Sequence, residues 1–205
     1  MTPVFADVAS AAIAAFHDRH VVDKDEPAVD TGSDSVWKWI AVNHRCNVSL
    51  WDEEDQARRT DVAADAIAAN KRAIDRFNQQ RNDAIENVDE ALLARVAAVA
   101  VARDAWHNSE TAGAMIDRLS ILALKVFHMR AQTLRTDVPD SHLRQCAEKL
   151  QRLEIQRRDL GHCLDTLLSL AAEGRAFWRV YRQFKMYNSP DTNPYLYAKG
   201  GAPPL

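Results

Sequence analysis

The fold of this 205-residue chain is decided by residues 109–130, which read SETAGAMIDRLSILALKVFHMR. Residues 112–129 contain no proline, and their apolar side chains cover nearly every direction around a helix axis. A helix that is apolar all round lies inside a protein and not on its surface. The segment therefore predicts a buried central helix, and the fold expected around it is an all-α bundle of five to seven helices.

The central helix also carries ionisable groups, which are seldom buried without partners. At about 100° per residue, Glu110, Asp117 and His128 share one line of this helix. Arg118 and Lys125 share a second line, about 100° from the first. His128 and Asp117 are candidates for a base and its orienting partner, and the two cations are candidates for binding an anion. A buried structural ion network would use the same residue types, and this alternative stays open.

Composition and charge restrict the class of protein. The chain is 47% hydrophobic, which suits one helical domain over residues 1–205. Its net charge of −3 gives no basic field that would attract nucleic acid or an anionic membrane surface. Three cysteines, without metal-ligand spacing, predict free thiols in a reducing compartment. No signal peptide or membrane-spanning run is recognised, so we expect a cytoplasmic protein.

Periodicity and capping residues predict the other helices and their limits. Ser109 suits the N-cap of the central helix, and Ser141 suits that of a long helix that ends near Gly174. The alanine-rich residues 91–106 either continue the third helix or form a short one of their own. The helices predicted besides the central one cover residues 5–20, 36–58, 63–93, 141–172 and 176–186, and an irregular tail is predicted at residues 188–205.

A polar face runs along the second predicted helix. Histidine, asparagine and tryptophan are poor choices for a helix face that only contacts water, so this pattern favours a site. A charged surface anchored by one tryptophan is the alternative. The residues of this face are His44, Asn47, Trp51, Glu54, Asp55 and Arg58.

The third predicted helix has a similar polar face beside its apolar stripe. Short polar residues such as Asn78 and Asn82 weaken a helix interior, so they predict partners, either in a site or in a structural network. The residues of this face are Lys71, Asp75, Asn78, Gln79, Asn82, Glu86 and Asp89.

Glu86 and Asp89 form an ExxD pair that Glu54 of the second helix would complete as a magnesium site. This arrangement weakly resembles the acidic pairs of all-α nucleotide pyrophosphohydrolases. Basic and acidic residues on the three polar faces are nearly balanced, however, whereas a dedicated Mg²⁺ site should be rich in acids. We therefore predict a metal-free site without a cofactor, with Mg²⁺ as the alternative.

Other motifs of common enzymes are missing. The chain has no GxxxxGK[ST], GxGxxG, GxSxG or HExxH. The histidines outside the polar faces have no metal-ligand spacing and are expected to be ordinary. They are His17, His20, His107, His142 and His162.

Three segments together resemble one known family. They read NHRCNVSLWDEEDQARR, KRAIDRFNQQRNDAIENVDE and NSETAGAMIDRLSILALKVFHMR, and FKMYNSPDTNPYLY resembles that family's C-terminal end. The family is the bacterial domain of unknown function 4254, and the resemblance covers residues 37–197, with a departure at the alanine-rich residues 91–105. Its members often lie near glycosyltransferase or surface-polysaccharide genes, so the resemblance implies sugar-related chemistry by association.

The function predicted first is an enzyme that acts by acid–base chemistry on a small anionic metabolite, either a phosphorylated sugar or a nucleotide-sugar. The candidate catalytic residues are Glu54, Glu86, Asp117, His128 and His44. The candidate substrate-binding residues are Asn47, Trp51, Asp55, Arg58, Lys71, Asp75, Asn78, Asn82, Arg118 and Lys125. One alternative is a non-catalytic helical partner of a glycosyltransferase-type pathway enzyme, or a homo-oligomer, docked through its tyrosine-bearing tail. The other alternative is a magnesium-dependent hydrolase like the pyrophosphohydrolases.

Overall fold

Within residues 4–22 and 36–182, which the computed structural model describes, the chain forms five α-helices and one pair of two-residue strands. The predicted all-α bundle is confirmed. The tail predicted at residues 188–205 lies outside the described residues. After a 3-10 turn at Ala6–Val8, the elements are α1 (Ser10–Val22), α2 (Val36–Ala57), α3 (Ala64–Arg95), β1 (Trp106–His107), α4 (Ala112–Thr133), α5 (Asp140–Ala172) and β2 (Ala176–Phe177).

The predicted central helix is α4, which packs against each of the other four helices. Its side chains Ile116 and Leu119 are at most 1% exposed, because they face the neighbouring helices. The helix begins after Thr111, whose hydroxyl oxygen accepts a hydrogen bond from the backbone N–H of Ala114 at 3.1 Å. Ser109, predicted to be this cap, lies two residues too early.

Two helical hairpins build the bundle: α2 with α3, and α4 with α5. They approach each other closely at Gly113, where a Cβ atom would lie 2.5 Å from the carbonyl oxygen of Ile85. The backbone N–H of Gly113 also donates to Oδ1 of Asp89 at 2.7 Å. The missing side chain at position 113 thus allows the close contact of α3 with α4, which places the polar residues of the two hairpins opposite each other.

The chain after α5 differs from the helix predicted at residues 176–186. Gly174, with φ 71°, ends α5 in a Schellman motif, in which the N–H of Arg175 donates to the carbonyl oxygen of Leu170 at 2.8 Å. The next residues form β2, which pairs in parallel with β1. The helix prediction is therefore wrong at the start of this segment, because a pairing between distant parts of the chain leaves no local periodicity. Residues 183–186 lie outside the described ranges.

The ends of the other helices differ from the predicted ones by smaller amounts. Pro139 is the N-cap of α5, so Ser141 lies inside the first turn and does not cap it. Helix α3 ends at Arg95, and the alanine-rich residues that follow form turns instead of continuing the helix. Among the helices of the described ranges, none combines the length and the apolar character that a membrane crossing needs.

Candidate functional site

A buried polar cluster lies where α2 faces α4. We call it the Asp117 cluster; its members are Asn43, His44, Asn47, Asp117 and Ser120, each at most 8% exposed. Oδ1 of Asp117 accepts hydrogen bonds from Nδ2 of Asn43 at 2.8 Å and from Nδ2 of Asn47 at 2.9 Å. The two asparagines are one turn apart on α2, and both amides therefore reach the same oxygen.

The second carboxylate oxygen of Asp117, Oδ2, accepts no hydrogen bond from the described residues. The side chain remains 11% exposed, and Nε of Arg81 lies 3.9 Å from Oδ1. The carboxylate is thus held through Oδ1, which also lies near the positive charge of Arg81 on α3, and Oδ2 has no partner within the described residues. Such an arrangement suits a group that exchanges a proton with a ligand.

His44 connects the Asp117 cluster to the core. Its Nδ1 lies 2.8 Å from Oγ of Ser120, which also accepts a hydrogen bond from Asn47 at 3.0 Å. Its ring stacks on that of His17 from α1, with the ring centroids 4.6 Å apart. Burial lowers the pKa of His44 to about 4, so this candidate catalytic residue is neutral at pH 7 and lies behind Ser120.

His17, which we expected to be ordinary, is fully buried against His44. Neither of its ring nitrogens has a hydrogen-bond partner among residues 4–22 and 36–182. Burial, followed by the charges of His44 and Arg157, holds its pKa well below the usual value. The ring is therefore neutral, and protonating it inside the folded protein is unfavourable.

A cavity of about 280 Å³ opens beside the Asp117 cluster, and we call it the α2–α3 cavity. Arg81, which the sequence analysis did not single out, lines it as well. Arg58 forms ion pairs with Glu54 at 3.2 Å and with Asp55 at 3.1 Å, so its charge is already compensated within the protein. The predicted site residues in its wall are Asn47, Trp51, Glu54, Asp55, Arg58 and Asn78.

A larger cavity, of about 580 Å³, lies on the other side of Trp51, and we call it the α4–α5 cavity. Trp51 and Asp55 line both cavities, which therefore adjoin each other at α2. The indole of Trp51 stacks on the imidazole of His128, with the centroids 4.4 Å apart and the planes 3° apart. The predicted base His128 thus belongs to an aromatic wall on this side of Trp51.

Three cations line the α4–α5 cavity: Lys125 from α4, and Lys149 and Arg152 from α5. None of them forms an ion pair within the described part of the chain. Asp55, the acidic residue of this wall, is paired with Arg58. The cavity is therefore electropositive and suits an anionic ligand.

Some candidate residues lie elsewhere. Arg118 pairs with Glu110 at 2.7 Å and lies outside the wall of the α4–α5 cavity, so it does not extend the anion-binding edge of Lys125 as predicted. Lys71 pairs with Asp75 at 2.9 Å, and these side chains are 67% and 57% exposed. This ion pair belongs to the surface of α3, outside the walls of the α2–α3 and α4–α5 cavities.

The ExxD pair of α3 is not open to a ligand. Asp89 is 1% exposed, its carboxylate accepts the N–H of Gly113, and burial raises its pKa to about 6. Asn82 and Glu86 are half-buried, and neither lines the two cavities described above. Within residues 4–22 and 36–182, no group of three or more His, Cys, Asp and Glu side chains is placed to hold a metal ion.

Five residues of the site escaped the sequence analysis: Asn43, Arg81, Ser120, Lys149 and Arg152. The signal for Asn43 was its spacing of four residues from Asn47. Lys149 and Arg152 are three residues apart on one face of α5, but the sequence alone does not distinguish such a face from a solvated one. The distinction depends on how α5 packs against α4.

Comparison with known proteins gives one match. No curated protein and no solved structure matches the chain. A family model described as "Protein of unknown function (DUF4254)" matches residues 37–180. This range runs from α2 to beyond β2 and contains the Asp117 cluster and both cavities. It confirms the resemblance noted in the sequence, and the chain belongs to the DUF4254 family.

Proposed function

We propose that the protein is an enzyme that acts by acid–base chemistry on a small anionic metabolite, with a phosphorylated sugar or a nucleotide-sugar as the substrate class. The observation that carries the proposal is Asp117, fixed by two amides through one oxygen, on the same helix as an unpaired cation, Lys125. Eight residues separate them, about 12 Å along the helix axis. The substrate is therefore elongated, with its anionic group at one end and its reacting group at the other.

Asp117 is the proposed catalytic residue. Its Oδ2 takes a proton from a substrate hydroxyl, or returns one to a leaving group. Asn43 is a positioning residue, since it fixes the carboxylate through Oδ1. Arg81, which lines the α2–α3 cavity, stabilises negative charge that develops on the reacting oxygen. Asn78 in the same wall binds substrate hydroxyls, and Trp51 packs against the ring of the substrate.

The anionic group of the substrate binds to Lys125, Lys149 and Arg152 in the α4–α5 cavity. Arginine offers two parallel N–H donors to a phosphate, and the lysines add charge. Arg58 and Arg118 were also candidates for this role. Their ion pairs with carboxylates make them weaker ligands, because an incoming phosphate would compete with those carboxylates.

The three unpaired cations also favour a reaction that does not depend on a metal, since the protein itself balances the substrate's charge. A magnesium-dependent hydrolase would need acidic side chains that are available to the ion. Glu54 is bound by Arg58, and Asp89 by the N–H of Gly113. Activity that is lost in EDTA and restored by Mg²⁺ would favour this alternative over the metal-free enzyme.

Free thiols support a cytoplasmic location for the proposed enzyme, because oxidising compartments favour disulfides. Cys46, Cys146 and Cys163 are all free. The alternative of a non-catalytic partner protein docked through its tail depends on residues 187–197, which lie outside the described residues.

The experiment that tests the proposal is a thermal-shift and turnover screen with sugar phosphates and nucleotide-sugars. A ligand at a hundredfold excess over its Kd should stabilise the protein by about 2.7 kcal/mol. Lys125→Gln and Lys149→Gln should each weaken that stabilisation. Asp117→Asn should bind the same ligand but lose turnover, because the amide preserves the shape of the side chain and cannot accept the proton.

Lys71→Gln is the matched control, since Lys71 is an exposed helix lysine outside both cavities. It should leave ligand binding unchanged. A ligand response that is the same in Lys71→Gln, Lys125→Gln and Lys149→Gln would show that the α4–α5 cavity is not the anion site. Full turnover by Asp117→Asn would remove the proposed catalytic role.

A further inference from the structure

A third cavity, of about 620 Å³, lies further along the interface of α4 and α5, and we call it the Trp106 cavity. Arg152 and Gln156 line both this cavity and the α4–α5 cavity, so the two form one groove along α5. From Lys149 at one end to Asp159 at the other, the groove follows α5 for about 15 Å. The proposed function uses only the end at Lys149 and does not account for the end at Trp106.

The two ends of the groove differ in charge. The α4–α5 cavity contains the three unpaired cations. In the Trp106 cavity, Arg118 is neutralised by Glu110 at 2.7 Å, and Asp159 adds a carboxylate that forms no ion pair within the described residues. An anionic group is therefore favoured near Arg152, and an uncharged group with hydrogen-bond donors is favoured near Asp159.

The wall of the Trp106 cavity has an aromatic face. Trp106 is 51% exposed and Ile155 is 41% exposed, and large apolar side chains exposed at a cavity are typical of binding sites. The backbone N–H of Trp106 donates to the carbonyl oxygen of Arg175 at 2.9 Å, so the strand pairing fixes the backbone that carries the indole. A planar ring with polar edges fits this wall. A purely apolar chain would remove water from Asp159 without replacing its hydrogen bonds.

We infer that the groove binds a nucleoside diphosphate group. The base stacks on Trp106, the ribose hydroxyls donate to Asp159, and the diphosphate binds to Arg152 and Lys149. The group carried by the diphosphate then extends toward Trp51 and the α2–α3 cavity. This inference rests on the proposed function for its anion-binding end, and it selects the nucleotide-linked substrates from the proposed class.

Calorimetric titration of the full chain with adenosine diphosphate, uridine diphosphate and inorganic pyrophosphate tests the inference. Stacking of a base on an aromatic side chain raises affinity on the order of tenfold. A nucleoside diphosphate should therefore bind about tenfold more tightly than pyrophosphate. Trp106→Ala should remove this difference and leave pyrophosphate binding unchanged. The matched control is Tyr181→Ala, which removes another exposed aromatic side chain and should change neither affinity.

Cys163 provides a second measurement that needs no variant. It is the exposed cysteine and it lines the Trp106 cavity, whereas Cys46 and Cys146 are buried. A nucleoside diphosphate should slow the alkylation of Cys163 by iodoacetamide severalfold, and pyrophosphate should not. This result would support the inference even if Trp106→Ala failed to fold.

Equal affinities for pyrophosphate and both nucleotides, with no protection of Cys163, would overturn the inference and leave the anion site of the proposed function intact. Binding of an isoprenyl diphosphate that depends on Trp106, without binding of either nucleotide, would overturn it in favour of an apolar chain. If Lys149→Gln and Arg152→Gln affect none of these ligands, the proposed anion site fails together with the inference.

Discussion

Asparagine is an unfavourable residue inside a helix, and α2 places two of them, Asn43 and Asn47, at buried positions. The unfavourable free energy of placing asparagine in a buried helix is offset, because both amides donate to the buried carboxylate of Asp117. The amide of Asn47 also lies within 3.0 Å of Ser120 Oγ and 3.4 Å of Asn43 Oδ1, so three acceptors compete for its two hydrogens. The longest of these contacts is the weakest, which leaves Asp117 and Ser120 as the partners that fix Asn47.

At the same scale, the stacked pair His17 and His44 predicts how stability depends on pH. Both folded-state pKa values lie below the unfolded value of about 6.5. Below that pH the unfolded chain binds protons that the folded protein does not. The two histidines therefore leave the free energy of unfolding at its full value above pH 6.5, and this free energy decreases as the pH falls below 6.5. The other groups that face the pair are His20 on α1 and Arg157 on α5, and both disfavour a further positive charge.

His17→Phe should reduce this loss, because phenylalanine keeps an aromatic ring against His44 and binds no proton. Between pH 7.5 and pH 5.5 the variant should gain about 1.4 kcal/mol relative to the unaltered chain, as measured by urea unfolding at both pH values. The control, His162→Gln, alters an exposed histidine of α5. A similar gain in that control would show that the effect does not come from the buried pair.

At the scale of the elements, the helices could be predicted from the sequence because each carries its own periodicity. The strand pair could not, since β1 and β2 are too short to show a pattern and depend on each other. The site could be predicted only in part, again because contacts between distant parts of the chain decide which residues meet. Asp117 and Arg118 are neighbours on α4, but neighbours on a helix point about 100° apart, so Asp117 faces the asparagines of α2 and Arg118 lines the Trp106 cavity. Which of them faces α2 depends on the packing of the hairpins, which the sequence does not state.

The contact between α3 and α4 predicts a strong effect of Gly113→Ala. The added Cβ would lie 2.5 Å from the carbonyl oxygen of Ile85 and 2.8 Å from Oδ2 of Asp89. Alanine gains about 1 kcal/mol in helix propensity. Overpacking against a backbone atom costs about 1–3 kcal/mol, and the hydrogen bond between Gly113 and Asp89 is weakened as well. We expect a net loss of roughly 2 kcal/mol in the free energy of unfolding.

The same substitution in α5, Gly161→Ala, is the control for this prediction. Its Cβ would meet only the side chain of Ser10, at 3.0–3.1 Å, and a side chain yields more readily than a backbone carbonyl. Gly161→Ala should therefore destabilise the protein less than Gly113→Ala in urea unfolding. The reverse order would mean that the approach of α3 to α4 is less tightly packed than the geometry indicates.

At the scale of the whole molecule, the residues that the family model matches do not include all of the hydrophobic core. The family model begins at residue 37, whereas α1 lies before it. Ile13 and His17 of α1 are fully buried and Phe16 is 5% exposed. The hydroxyl and the N–H of Ser10 both donate to the carboxylate of Asp165 on α5. Helix α1 is therefore part of the core on which the matched region depends, and it covers the Asp117 cluster from behind.

A chain that begins at residue 36 should therefore lose cooperative folding. Burial of Val8, Ile13 and Phe16 contributes about 1.5–3 kcal/mol for each side chain, and their sum is comparable with the 5–15 kcal/mol that stabilises a typical domain. The loss should appear as a broad urea transition and a weak near-ultraviolet circular dichroism signal. A peptide of residues 4–22 added in excess should restore part of both, because it can pack on the surfaces of α4 and α5 that α1 covers in the full chain, whereas a scrambled peptide should not. A truncated chain that unfolds cooperatively at the original midpoint would instead make α1 an appendage, and the stacking of His17 on His44 would then contribute nothing to stability.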